Sequence, residues 1–314
     1  YKVARKIKEK FADKRISIVI EKCHHGFNPK VNNLFSAYRH SKYPTILISD
    51  SNVMVDPYYL RTIAKPMDNP DVGLVCNLIK GIGGKTIGSI FENLHLNSFI
   101  LGNICFLDKY LRIPCVVGKS MLMRKRDLEA IGGLGSVKDV LAEDHFIGEK
   151  IRGQKQRVVI SNYLINNVNE YWNLQKFINR HVRWGKMRWK IGGIKYLLEL
   201  TINPVFTACL PLFLFGPTEN TLSVLTLVCL MKIAGDFYLG RSISRPMHPF
   251  FYLLSPMKDL LIGLIWFVPF ADDTVVWRGN RYLMGKDTRL SLCPERGGEW
   301  KHRIMEGIKS KLAW

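Results

Sequence analysis

Thr45-Ile46-Leu47-Ile48-Ser49-Asp50-Ser51-Asn52 is a short apolar run that ends in an acidic residue and a polar turn. Such a run reads as a buried strand, and open α/β sheets bind ligands beyond the carboxyl ends of their strands, where Asp50 falls. Ile16 to Ile20, Gly73 to Leu78 and Arg157 to Ile160 read the same way, with helical patterns between them. The fold expected up to about Lys195 is therefore an α/β domain with a mostly parallel sheet covered by helices. Lys2 to Asp13 reads as a basic amphipathic helix leading into Ile16, so the chain is expected to begin mid-unit.

Composition narrows the class. The 314 residues carry 46 Lys+Arg against 26 Asp+Glu, a formal charge of +20, yet 47% are hydrophobic. Disordered chains combine high charge with low hydrophobicity, so this charge sits on a folded chain with a large core. Collagen-like and linker compositions are excluded. Seven cysteines, odd in number and without a CxxC pair, suggest neither a disulfide scaffold nor a zinc ribbon, and fit a reducing, cytosol-facing location.

Beyond Tyr196 the polar residues thin out. Leu197 to Phe215 and Leu222 to Leu239 approach the ~20 residues that span a bilayer. Lys232 and Asp236, one turn apart, are expected to pair within a helix bundle or snorkel. Leu260 to Ala271 is shorter and reads as a re-entrant or interfacial segment. Gly216 to Thr221 has no Lys or Arg, whereas Arg241 and Arg245 follow the second run, so the first loop is expected to face away from the cytoplasm and the α/β domain to lie inside. The division is then 1–195 for the α/β domain, 196–272 for the membrane region and 273–314 for a basic cytosolic tail. In that tail Arg296, Trp300, Lys301, Arg303, Lys309, Lys311 and Trp314 read as membrane-surface contacts rather than nucleic-acid ligands.

Three further stretches can carry chemistry. Asn28-Pro29-Lys30-Val31-Asn32-Asn33 opens a helix at which Lys30 is a cation near phosphate and Asn33 a donor, or simply caps a surface helix. Glu143-Asp144-His145 offers a carboxylate as general base, with Asp144 the candidate, or an acidic first turn that complements a helix dipole. Arg180, Arg183 and Trp184 share one helical face, suited to gripping phosphates against a flat wall or to lying on a membrane surface, and opposite faces can do both. Asp50 is a candidate ligand for a divalent cation bridging a diphosphate, or a turn residue. The histidines, His95 and His181 among them, read as packing or surface residues, and Trp277 to Tyr282 reads equally as an interfacial anchor or as an acceptor-site loop.

Taken in order, Asn28-Pro-Lys-Val-Asn-Asn-Leu, Ile48-Ser-Asp-Ser-Asn, Val117-Gly-Lys-Ser-Met-Leu-Met-Arg-Lys, Ala142-Glu-Asp, Arg180-x-x-Arg183-Trp184 and Val276-Trp-Arg-Gly-Asn-Arg-Tyr282 resemble the ceramide glucosyltransferase family, membrane-bound inverting family-2-like (family-21) glycosyltransferases. The resemblance covers nearly the whole chain. It implies a nucleotide-diphospho-sugar transferase (GT-A-like) domain that passes glucose from UDP-glucose to ceramide with inversion on the cytosolic face. It implies Asp144 as the base, Asp50 with Mg2+ or Mn2+ on the diphosphate, and Lys30, Asn33, Arg180, Arg183 and Trp184 around the nucleotide sugar. Asn52 stands where the family's Asp-x-Asp pair would end. The family's earlier acidic motif and N-terminal anchor are missing, so a truncated chain that is not competent by itself is expected. Diacylglycerol, a hopanoid or a polyprenyl phosphate as acceptor, UDP-N-acetylglucosamine as donor, and a non-catalytic lipid-binding homologue are the competing readings.

Overall fold

The computed structural model describes residues 1–21, 23–243 and 247–293. Arg245 and the basic tail residues from Arg296 to Trp314 lie outside the described residues. Five strands, β1 (Thr45–Ser49), β2 (Val53–Met54), β3 (Val72–Ile82), β4 (Ser120–Arg124) and β5 (Arg157–Val168), form one sheet in the order β1-β4-β3-β5-β2. β1, β3 and β5 share a direction, which gives the sheet the majority expected of it. Pairing within that majority is mixed. β4 lies antiparallel between β1 and β3, β2 runs against β5, and β3·β5 is the parallel pair.

Side-chain alternation explains why both faces are covered. Leu74, Cys76, Met121 and Met123 point to one face, where they meet Val31 and Ile147 from helices α2 (Pro29–Arg39) and α7 (Glu143–Gly153). Val75 and Leu122, one residue out of phase, point to the other, against Tyr59 and Ile63 of α3 (Tyr59–Ala64), Leu96, and Trp184 of α8 (Leu174–Gly192). Each such side chain, fully buried, contributes about 1.5–3 kcal/mol. The remaining helices of this half are α1 (Lys2–Lys10), α4 (Ile87–Leu94), α5 (Leu101–Leu111) and α6 (Lys125–Ala130). Ile16 to Ile20 is not a strand: it finds no ladder partner among the described residues, and Ile20 is 72% exposed.

The apolar half also departs from expectation. Leu197 to Phe215 is broken: a helical stretch to Leu200 and α9 (Pro204–Phe215) meet at 61°. Pro204 cannot continue the preceding helix, and Asn203 caps the new one by accepting from Phe206 N at 3.2 Å. The 12 residues of α9 rise only ~18 Å at 1.5 Å each. α10 (Glu219–Arg241) matches the second run and is long and apolar enough to cross a membrane. So is the helical rod Pro249–Ala271, which contains α11 (Ser255–Ile265) and α12 (Val268–Ala271) and replaces the short third segment.

Residues after 273 differ from a simple tail. β6 (Thr274–Trp277), β7 (Asn280–Met284) and β8 (Leu290–Leu292) form an antiparallel meander whose Val275, Tyr282, Met284 and Leu290 pack on Leu141 and Met187.

Candidate active site

The carboxyl end of β1 opens into a cleft of about 630 Å³. Lys30, Asn33, Asp50, Asp144, Arg180, Arg183 and Trp184, all singled out from sequence, line it together. They arrive from four places. Asp50 follows β1; Lys30 and Asn33 come from the first turns of α2, Asp144 from the first turn of α7, and the last three from α8.

Local chemistry fixes each. Asn28 caps α2, its Oδ1 accepting from Lys30 N at 2.8 Å and Val31 N at 3.0 Å, while its amide donates to Val140 O at 2.6 Å and Glu143 Oε2 at 3.2 Å. The cap therefore ties α2 to the loop that carries Asp144, so capping and site-building coincide. Lys30 Nζ lies 2.9 Å from Glu143 Oε1 and 3.4 Å from Asp50 Oδ1, and donates to Gly118 O at 2.9 Å. Lys119, which carried no role in the sequence reading, sits 2.9 Å from Asp50 Oδ2 and donates to Asn52 Oδ1 at 2.7 Å.

Burial raises the cost of ionising Asp50, but Lys30 and Lys119 outweigh it and hold its carboxyl below the ordinary range. Burial pushes Glu143 up against the pull of Lys30 and lowers Lys119. Asp144 is held differently: Oδ2 accepts from Gly118 N and Oδ1 from His145 N, both at 2.8 Å. It is an ion-pair-free carboxylate among the described residues, next to one that is locked in an ion pair.

On α8, Arg180 lies 4.2 Å above the Trp184 ring and 5.1 Å from Trp172, with Nη1 3.3 Å from Glu92 Oε1. Glu92, wholly buried on α4, also meets His181 Nε2 at 3.0 Å. Burial, then the neighbouring Arg180, lowers Arg183 to about 10. Phe177, His181, Gly185 and Lys186 are buried, so α8 is a wall of the cleft rather than a helix lying free on a surface.

Asp50 Oδ2 and Asn52 Oδ1 converge on one point, now held by the Lys119 ammonium. Among the described residues no group of three or more His, Cys, Asp or Glu is placed to hold a metal ion. That point offers a cation one carboxylate oxygen and one amide oxygen, and a divalent ion would have to displace the Lys119 ammonium to reach them.

The family model described as Glycosyl transferase family 21 matches residues 1–290. The chain belongs to glycosyl transferase family 21. Curated relatives of this family-21 chain include ceramide glucosyltransferase 3 of Caenorhabditis elegans, 25% identical over 267 residues, which cover 81% of this chain and 57% of that protein. Ceramide glucosyltransferase 1 of the same organism is 25% identical over 303 residues, 92% of this chain and 63% of that protein. The chain thus spans about three fifths of the length of these relatives.

Sequence reading of this family-21 member gave no role to Lys119 or to the bracing pair Glu92 and Trp172, and left Trp277 and Arg278, which line the cleft, without a single assignment. Lys119 had a signal. It precedes the alternating Ser120 to Arg124, and because β4 is antiparallel its start lies beside the end of β1, with Ser49 opposite Ser120.

Proposed function

We propose that this family-21 protein transfers glucose from UDP-glucose to the primary hydroxyl of ceramide, with inversion, at the cytosolic face of a membrane. The observation that carries the reading is one cleft in which a carboxylate free of ion pairs, Asp144, shares walls with Lys30, Lys119, Arg180 and Arg183, in a protein that also has two helices long and apolar enough for a bilayer.

Asp144 takes the hydroxyl proton as the acceptor oxygen forms its bond to the anomeric carbon. The bond from that carbon to the diphosphate breaks on the opposite face, its electron pair leaving with UDP, so the configuration inverts. Lys30 and Lys119 face the charge that grows on the leaving diphosphate, and Arg180 and Arg183 grip it bidentately, with Trp184 as a flat wall for the nucleotide sugar. Asn33 donates from the mouth of α2. Mg2+ or Mn2+ on Asp50 and Asn52 would add charge neutralisation at the same diphosphate. The apolar helices keep the site at headgroup level, where the acceptor resides.

Gly118 gives this reading a sharp local test. A Cβ there would stand 2.6 Å from Asp144 Oδ2 and 3.0 Å from its Cγ, so Gly118→Ala must push the carboxylate away. Transfer is expected to fall by about a hundredfold, the cost of a displacement near 1 Å, with a nearly unchanged thermal midpoint. Equal activity would separate Asp144 from the chemistry.

The substrate test offers UDP-glucose and UDP-N-acetylglucosamine, each against ceramide, diacylglycerol, a hopanoid and a polyprenyl phosphate, to membranes containing the protein. Glucosylceramide is the expected product. A different glycolipid would keep the mechanism and replace the substrates; no product from any pair would favour a lipid-binding homologue without catalysis.

A further inference from the structure

The β6–β8 meander is built into the cleft. Lys186 of α8, 3% exposed, donates to Thr274 O at 2.6 Å and Asp272 Oδ2 at 2.8 Å, fixing the start of β6. At the other end, Leu141 N donates to Thr288 O at 3.0 Å and Ala142 N to Thr288 Oγ1 at 3.1 Å, two bonds on the residues just before Glu143 and Asp144. Thr288 makes them from φ 56°, a conformation that β-branched residues rarely adopt. The meander is thereby fastened to α8 and to the loop that carries Asp144.

Its β6–β7 turn enters the cleft. Trp277 pairs with Asn280, leaving Arg278 and Gly279 as a two-residue hairpin loop with φ of 50° and 83°. Asn, Asp or Gly takes the first of these positions at least cost, yet here it holds a long cationic side chain. Trp277 and Arg278 both line the cleft. Strain at a cleft-facing position is a pointer to function when a second observation agrees.

Charge supplies that observation. Six cationic side chains line the cleft: Lys30, Lys119, Arg180, Arg183, Arg188 and Arg278. Lys30 and Lys119 face Asp50 or Glu143, Arg180 faces Glu92 and Arg188 faces Glu199. Among the described residues Arg183 and Arg278 have no carboxylate within ion-pair distance. A diphosphate brings the missing negative charge, and guanidinium groups match its oxygens in pairs.

We propose that Arg278 is a donor-binding residue, its guanidinium taking diphosphate oxygens of the nucleotide sugar from the hairpin tip. The proposal rests on the nucleotide-sugar reading of the cleft. Arg278→Gly tests it, because glycine suits the turn while removing the charge. UDP alone, titrated calorimetrically into the detergent-solubilised full chain, is expected to bind the variant about tenfold more weakly. The donor KM is expected to rise in proportion, with the ceramide KM within about twofold and the unliganded thermal midpoint no lower. Arg278→Lys should recover part of the affinity. Unchanged UDP affinity in Arg278→Gly would overturn the proposal and leave the cleft reading intact, as would a shift confined to the ceramide KM, which would assign Arg278 to the lipid. Wild-type protein that binds no UDP would overturn the nucleotide reading and the proposal with it.

Discussion

Asp144→Asn is expected to lower sugar transfer by about 10³–10⁴-fold while UDP affinity and thermal midpoint stay close to wild type. The amide has the shape of the carboxylate but a single acceptor oxygen, so it keeps one of the bonds from Gly118 N and His145 N that orient Asp144 and turns its NH2 toward the other donor. What it lacks is a site that can take the hydroxyl proton. Glu143→Gln is the paired control. Glu143 is 4% exposed, lies 2.9 Å from Lys30 and accepts from Asn28. Its neutralisation frees Lys30 from its closest carboxylate, so the donor KM is expected to change more than kcat. Rates of single-turnover transfer in both variants decide the matter. If Glu143→Gln loses kcat by orders of magnitude and Asp144→Asn stays within tenfold of wild type, the base is Glu143.

Adjacent carboxylates of this kind show where sequence reading stops. The Glu143-Asp144 pair was legible as chemistry, but which of the two is locked by Lys30 depends on a helix that begins more than a hundred residues earlier. β1, β3 and β5 were legible because each opens as a short, β-branched apolar run, whatever the direction of its neighbour. Ile16 to Ile20 has the same composition and forms no strand, since β propensity acts only where a neighbour exists to pair with. β4 was not read as a strand, and its antiparallel direction is what brings Lys119 to Asp50. Glu92 was invisible because its partner His181 lies 89 residues away. Hydropathy found all three apolar runs but misjudged two of their lengths. Pro204 and the Asn203 cap shorten one helix, and the segment from Pro249 lengthens another.

Between those apolar helices lies the second large effect. Lys258→Met is expected to lower the unfolding free energy by about 3–5 kcal/mol, the cost of leaving a buried charge without its partner. Lys258 is fully buried on α11 and pairs with the neighbouring Asp259. Asp259 also faces Lys232 of α10 at 3.4 Å, and Lys232 lies 2.7 Å from Asp236, the intrahelical pair expected from sequence. Two cations and two carboxylates thus make a neutral quartet, and Asn203 ties it to the start of α9 by donating to Asp259 O at 2.7 Å. Removing Lys258 leaves one uncompensated negative charge among apolar helices, where salt screens it poorly. Adding Asp259→Asn restores neutrality, and the double variant is expected to recover most of the loss. Thermal midpoints of the wild type, both single variants and the double variant in one detergent complete the cycle. α11 packs against α8, the helix that carries Arg180 and Arg183, so transfer activity should fall in Lys258→Met and return in the double variant. Additive losses in stability would mean that the quartet does not act as a unit; a stability cycle that closes while activity stays constant throughout would uncouple the helix bundle from the cleft.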